Sequence, residues 1–298
     1  MKANKLPNLL IVGAAKSGTT SLYHYLNQHP DVFMSAHKEP HFLINNEIGK
    51  NRIPNGISDF EDYKKLFNEG SNHKYRGEAS VMYLQFPEIS IPNIKKYLGE
   101  EIKIIIMLRN PIDRAFSSYQ HVKRYNVMEN LSFKDALKIS EERYLSNADM
   151  TPASRYKNIG LYYELVKDFL LAFNNVHLII YDDYRKDIKS ELHKVFKFLD
   201  IEKIDIDTSK RHMVGGWQWK DKKMKKIVIP KSNFKSVIKF LLPIKGLRHF
   251  IRGKLMRANT EDIPEMGTET RASLRDYYTK DVKKLSILLN RDLNHWTK

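Results

Sequence analysis

Not one of the 298 residues is a cysteine. That absence excludes a disulfide framework, thiolate catalysis and any zinc site built on sulfur, and it suits a reducing compartment. Long hydrophobic runs are missing as well. The longest apolar stretches, such as Ile104 to Leu108 and Val237 to Leu242, fall far short of the roughly 20 residues that a membrane-spanning helix needs. Met1 to Pro7 is short and polar, with no apolar segment leading to a small-residue cleavage site. No signal peptide is therefore expected, and a soluble, cytoplasmic protein is. Neither an internal repeat nor a low-complexity linker interrupts the chain. Its length suits one large α/β domain or two small ones.

Acidic residues are scarce where basic ones gather. Lys and Arg outnumber Asp and Glu by 51 to 35, a formal net charge of +16. Between Lys220 and Arg257 thirteen Lys/Arg face a single acid, Asp221. Such a field favours an anionic partner: a nucleotide, an acidic polysaccharide, a membrane surface or nucleic acid. A solvated face serving only solubility is the blander alternative. Ile227, Val228, Phe234, Val237, Phe240 and Leu241 interleave with these charges, which permits a helix with an apolar side lying on an anionic membrane. Acceptor steering and peripheral membrane contact through 220–257 both stay open, whereas nucleic acid is not expected, since charge alone is weak evidence for it.

Three apolar runs read as buried strands: Leu9 to Val12, Ile102 to Leu108 and Val176 to Tyr181. Helical patterns cover about 19–28, 132–145, 161–173, 188–199 and 273–293. Apolar strands alternating with helices predict an α/β fold, a central mostly parallel sheet flanked by helices in three layers. Ligands of such sheets bind beyond the carboxyl ends of the strands.

Two of these strand ends carry anion-binding chemistry. After the first comes Gly13-Ala14-Ala15-Lys16-Ser17-Gly18-Thr19-Thr20-Ser21-Leu22. A glycine-bounded turn entering a helix offers backbone N–H groups and a favourable dipole to an anion. Lys16, Ser17, Thr19 and Thr20 add a cation and hydroxyls. Lys16 precedes Gly18 by two residues, so the Walker A pattern of a nucleotide kinase or NTPase fails. After the second strand, Arg109-Asn110-Pro111 opens a helix with Asn110 as N-cap and Pro111 at its first position. Arg109 is a permanently charged fork suited to phosphate, and Ser117 adds a hydroxyl. His121 lies four residues beyond Ser117, on the same helix face, although a helical histidine alone is more often structural.

The run KSGTTSL following an apolar strand resembles the 5'-phosphosulfate loop of the sulfotransferases that use 3'-phosphoadenosine-5'-phosphosulfate (PAPS). It is most similar to the branch holding the heparan sulfate and bacterial carbohydrate enzymes. The resemblance implies a P-loop-like fold, one sulfotransferase domain over residues 1–298, and no metal. It assigns Lys16, Ser17, Gly18, Thr19, Thr20 and Ser21 to the 5' side of the donor, with Lys16 on the sulfate and leaving phosphate. Arg109 and Ser117 correspond to the 3'-phosphate site, and His121 to a histidine near the donor. In Lys38-Glu39-Pro40-His41-Phe42, Glu39 matches the family's catalytic base, with His41 as its rival. Gly77 to Tyr83 resembles a further family segment, but Ala79 stands where some polysaccharide enzymes carry a lysine, and Val81 where proline is usual. Tyr181-Asp182-Asp183-Tyr184 reads as mainly structural. Arg211-His212-Met213-Val214-Gly215-Gly216-Trp217 occupies the place of a loop closing over the nucleotide, within a basic lid or acceptor-side segment at about 205–260. There Arg211 would reach the 3'-phosphate, Gly215 and Gly216 would let the backbone approach, and Trp217 would cover the base. The implied activity is sulfuryl transfer from PAPS to a hydroxyl or amine of an acceptor, a carbohydrate or glycolipid, releasing adenosine 3',5'-bisphosphate. A P-loop-like kinase or NTPase is the alternative.

Overall fold

The computed structural model describes residues 6–125, 129–210, 217–221, 254, 258–263 and 265–298. Five strands form the main sheet: β1 (Leu9–Gly13), β2 (Val32–Met34), β3 (Tyr75–Glu78), β4 (Lys103–Leu108) and β5 (Val176–Ile180). Their order is β2-β3-β1-β4-β5, and every neighbouring pair is parallel. The three apolar runs expected to be strands are β1, β4 and β5, which lie side by side. The short flanking strands were not anticipated. β3 reads Tyr-Arg-Gly-Glu, with no apolar run to announce it, and Gly77 leaves room for the Met34 side chain on β2, whose Sδ would lie 2.5 Å from a Cβ there.

The alternation along β1 and β4 shows why both faces must be covered. Leu10, Val12, Ile104, Ile106 and Leu108 point into one core, and Leu9, Ile11, Ile105 and Met107 into the other. Side chains alternate across a strand, and here both sets are apolar, so neither face can meet water. On the second face lie α1 (Thr19–Leu26) and, after α8 (Tyr181–Lys186), α9 (Ile188–Leu199), contributing Leu22, Leu26, Leu192, Val195 and Phe196. The first face is covered by α4 (Pro87–Leu98), α5 (Pro111–Tyr125), α7 (Tyr163–Ala172) and α10 (Thr268–Leu288), through Ile94, Ile112, Ala115, Val166, Phe169 and Val282. The helices α2 (Phe42–Ile48), α3 (Phe60–Lys65) and α6 (Phe133–Ser146) add Leu43, Ile44, Tyr63 and Ala136 to the same core. The result is the expected three-layer α/β arrangement.

Asn110 caps α5 as its sequence suggested: Oδ1 accepts from Ile112 N–H at 2.9 Å. The last helix stops earlier than its pattern implied, at Leu288 rather than Leu293. Leu293 and Trp296 turn back into the core. There Trp296 Nε1 donates to Asp182 at 2.6 Å, and Asn110 Nδ2 donates to the Trp296 carbonyl at 3.3 Å. A two-stranded antiparallel ribbon, β6 (Trp217–Trp219) with β7 (Thr260–Asp262), is tied to α5 by Trp219 Nε1 donating to the Arg124 carbonyl at 3.3 Å. Among the described residues no helix is long and apolar enough to cross a membrane.

Ile106 is fully buried in β4, between β1 and β5. Ile106→Ala should cost about 2–5 kcal/mol through lost burial and the cavity left behind. Denaturant unfolding should show a lower midpoint with an unchanged slope.

Candidate active site

Beyond Gly13 the chain leaves the sheet, and Ala14 N–H donates to the Met107 carbonyl at 2.7 Å, fastening the loop to the end of β4. Lys16 takes a left-handed conformation (φ 70°) and Gly18 another (φ 95°) at the N-cap of α1. Glycine suits position 18 for a second reason: a Cβ would stand 3.1 Å from the Tyr181 ring, which would have to give by a few tenths of an ångström. The first turn of α1 holds no acid and Gly18 has no capping side chain, so the unpaired N–H groups and dipole of this end face the cavity without a carboxylate competing for them. Ser17 is fully buried, with its hydroxyl beside that of Tyr162.

Arg109 follows β4 directly, one strand over. It donates to the Lys16 carbonyl at 3.3 Å, its guanidinium lies 4.9 Å from the Tyr181 ring centre, and its own carbonyl accepts from Tyr162 O–H at 2.9 Å. The two strand-end motifs are therefore in direct contact. Burial first, then the charges of Arg124 and Arg109, pull the Lys16 ammonium down to about 8, against an opposing pull from Glu39. His121 is pushed down to about 4 by burial and by Lys16 and Arg124, so its imidazole is neutral at pH 7; Nδ1 is buried without a partner.

Glu39 sits in the loop between β2 and α2. One carboxylate oxygen pairs with Lys38 Nζ, and the other lies 3.9 Å from His41 Nε2. Burial raises the carboxyl, but Lys38, His41 and His121 outweigh it and hold Glu39 below the ordinary carboxylate range. The side chain keeps 40% exposure, so it is ionised at pH 7 and still reachable. His41 is the more enclosed of the two candidate bases; burial lowers it, and its Nδ1 is engaged with the Glu39 carbonyl at 3.0 Å.

One cavity of about 1250 Å³ brings together Lys16, Gly18, Thr19, Thr20, Ser21, Glu39, Arg109, Ser117 and His121. That exceeds the roughly 300–1,000 Å³ of an ordinary ligand pocket, leaving room for two substrates. Ser17 lies buried beneath it. Trp217 does not line it; the ring packs 4.7 Å from the Arg124 guanidinium, and Arg124 does line it. Arg211, Gly215 and Gly216 lie outside the described residues, as does nearly all of 220–257. Tyr181 does more than the structural role expected of it, since it lines the cavity and supports both Gly18 and Arg109. Also unforeseen were Tyr184, Arg185, Arg124, Arg52, Glu265 and Arg271. For Tyr181 the signal was present, because it follows β5 as Arg109 follows β4. No group of three or more metal-ligating His, Asp or Glu side chains occurs among the described residues.

A parallel α/β sheet with a cationic, glycine-shaped loop at one strand end and an arginine at the adjacent one defines a nucleotide- or phosphate-binding protein of the P-loop-like class. Within that class, the sulfotransferase domain family matches residues 6–240, and the chain belongs to it. It is 28% identical to mouse (Mus musculus) carbohydrate sulfotransferase 15 over 248 residues, 66% of this chain and 44% of that protein. With the human (Homo sapiens) bifunctional heparan sulfate N-deacetylase/N-sulfotransferase 2 it shares 27% over 303 residues, 97% of this chain and 30% of that one. The chain thus spans less than half the length of these curated relatives. A crystal structure of a sulfotransferase from Alicyclobacillus acidocaldarius superposes with a TM-score of 0.75 at 28% identity, over 98% of this chain and 99% of that one. The kinase alternative finds no support in these matches.

Gly18→Ala should place a Cβ against Tyr181 in a left-handed backbone. The expected cost is about 1–2 kcal/mol, read as a lower Tm by calorimetry.

Proposed function

We propose that this chain is one sulfotransferase domain that transfers a sulfuryl group from PAPS to a hydroxyl or amine of a carbohydrate acceptor. The observation that carries the proposal is the contact between Lys16 and Arg109, which joins two cationic strand ends into one cradle. Its residues fit a donor phosphorylated at both ends. The α1 N-terminus is free of acids, and the Lys16 charge lacks a counter-ion close enough to keep its ammonium at the ordinary value. When bound, PAPS supplies the sulfuryl group, with adenosine 3',5'-bisphosphate as the leaving group.

The chain's residues divide the work. Thr19, Thr20 and Ser21 hold the 5' side with Lys16; Arg109 and Ser117 hold the 3' side. Glu39 accepts the acceptor's proton through the oxygen not engaged by Lys38, which turns the hydroxyl into a competent nucleophile. Lys16 stabilises negative charge as it grows on the leaving oxygen, in the way fixed cations act in phosphoryl transfer. His121, neutral and close to Lys16, orients the reacting groups without adding charge. Opposite the cradle, Arg52, Asn55, Thr151, Glu265 and Arg271 line the remaining space. This mixture of donors and acceptors suits a hydroxyl-rich acceptor, and the carbohydrate sulfotransferases among the relatives support that reading. The basic segment 220–257 would draw anionic acceptors or rest on an anionic membrane.

Lys16→Ala should abolish measurable turnover, and Glu39→Gln should keep donor affinity while slowing turnover on the order of a hundredfold or more. Both are read by transfer of labelled sulfate from PAPS across a panel of saccharide acceptors. Full activity in the Gln variant removes Glu39 from its role.

The pH dependence has a definite sign. The Lys16 ammonium is lowered from 10.5 to about 8, so the folded, ligand-free protein gives up this proton more readily than the unfolded chain. Stability from this group therefore rises with pH between about 8 and 10.5. Affinity for adenosine 3',5'-bisphosphate should fall over the same range, because the anion needs the ammonium. Isothermal titration across pH 7–9.5 checks this, and Lys16→Met should flatten the profile.

A further inference from the structure

Arg114 lies on α5, between Arg109 and Ser117, and is fully buried. It has no acidic partner. A terminal nitrogen donates to the Tyr156 carbonyl, and the Tyr278 hydroxyl stands against the same guanidinium. Every one of the chain's 35 acidic residues lies among the described residues, so no acid in the remaining segments stands ready to pair with it. Neighbouring arginines are treated differently. Arg143 pairs with buried Glu129, Arg155 with Glu141 and Arg271 with Asp113. The cavity-lining Arg109 and Arg124 form no such pair among the described residues. Arg114 resembles these two in charge, although it does not itself reach the cavity.

A buried charge without a counter-ion is costly, and carbonyl and hydroxyl dipoles offset the cost only in part. The direction in which this charge acts is visible in its surroundings. Burial pushes the Tyr162 phenol up to about 12, with the Arg114 guanidinium pulling against it. That same hydroxyl donates to the Arg109 carbonyl at 2.9 Å, and Ser17 adjoins it. Arg114 is thus linked to the cradle through Tyr162, whose hydroxyl holds the Arg109 carbonyl and adjoins Ser17. In that dry setting its field is screened far less than that of a surface charge.

We infer that Arg114 is a positioning residue whose buried positive charge acts by way of Tyr162, Ser17 and Arg109 on an anion in the cradle, the bound phosphate serving as its missing counter-ion. The inference rests on the donor site proposed above. It explains why the chain retains an arginine where an apolar side chain of similar volume would pack more cheaply.

The test compares wild type, Arg114→Met and Arg114→Lys by isothermal titration with adenosine 3',5'-bisphosphate and with adenosine 5'-monophosphate, alongside the Tm of each ligand-free protein. Arg114→Met should be at least as stable as wild type without ligand, yet bind the bisphosphate roughly tenfold more weakly or worse. Its loss for the monophosphate should be smaller, since the effect scales with ligand charge. Arg114→Lys should keep the wild-type preference for the bisphosphate, and this arm decides the matter if the Met variant does not fold. Equal losses for both nucleotides in either variant would mean a merely structural role and overturn the inference, as would an unchanged bisphosphate affinity in Arg114→Met. Failure of the wild type itself to bind the bisphosphate is a separate result, and it overturns the donor site instead.

Discussion

Like charge held together in a dry place is the constraint on which this site is built. Lys16 loses water on folding and gains Arg124 and Arg109 as neighbours, with Glu39 the main opposing influence. Nothing among the described residues relieves the repulsion fully. Such an arrangement persists only because the scaffold fixes it: the loop is fastened to β4 through Ala14, and Arg109 is clamped between the Lys16 carbonyl, the Tyr181 ring and Tyr162. The buried apolar strands supply the rigidity, and the polyanion proposed to bind would meet cations already desolvated and already placed. Perturbed groups of this kind concentrate where proteins bind and react.

The sheet does more than hold the two cradles. β1 and β4 are hydrogen-bonded neighbours, so the turns leaving them lie side by side. β5 is the next strand, and it delivers Tyr181 beneath both Gly18 and Arg109. Three consecutive strand ends thus contribute a loop, a cation and a ring to one spot. The C-terminal segment braces the same edge, with Trp296 bonded to Asp182 beside that ring and to Asn110 beside the arginine. The rest of the cavity, where the acceptor is proposed to sit, is assembled differently, from the loops around Arg52, Thr151 and Glu265, which belong to no common element.

This division accounts for what could be read from the sequence. Continuous apolar runs exposed β1, β4 and β5, and local turn chemistry exposed Lys16, Gly18, Asn110 and Arg109, because each motif is written in neighbouring residues. β2 and β3 escaped notice since three or four residues such as Tyr-Arg-Gly-Glu carry no period. The helix α4 contains Pro92 in its interior, which argues locally against a helix, yet Ile94 packs into the core and tertiary burial prevails. Arg124, Arg52 and Arg271 were invisible for another reason. A charged residue on a helix or loop looks the same in sequence whether it faces solvent or a cavity, and only the fold decides. Trp217 shows the converse: a ring expected over a base is packed on the Arg124 guanidinium.

The proton-transfer step in the proposed reaction rests on a balance at Glu39. Burial favours the neutral acid, while Lys38, His41 and His121 favour the carboxylate and prevail in the ligand-free protein. His121 and His41 are themselves lowered by burial, so at neutral pH they lend little positive charge and Lys38 is the principal support. A base held this way is weak in the ground state and gains strength only as its surroundings dry. An acceptor entering the cavity would remove water from Glu39 and shift the balance toward the protonated form just where its hydroxyl must give up a proton. The residual exposure of the carboxylate is thus consistent with its role, because the acceptor would complete the burial that makes proton uptake favourable.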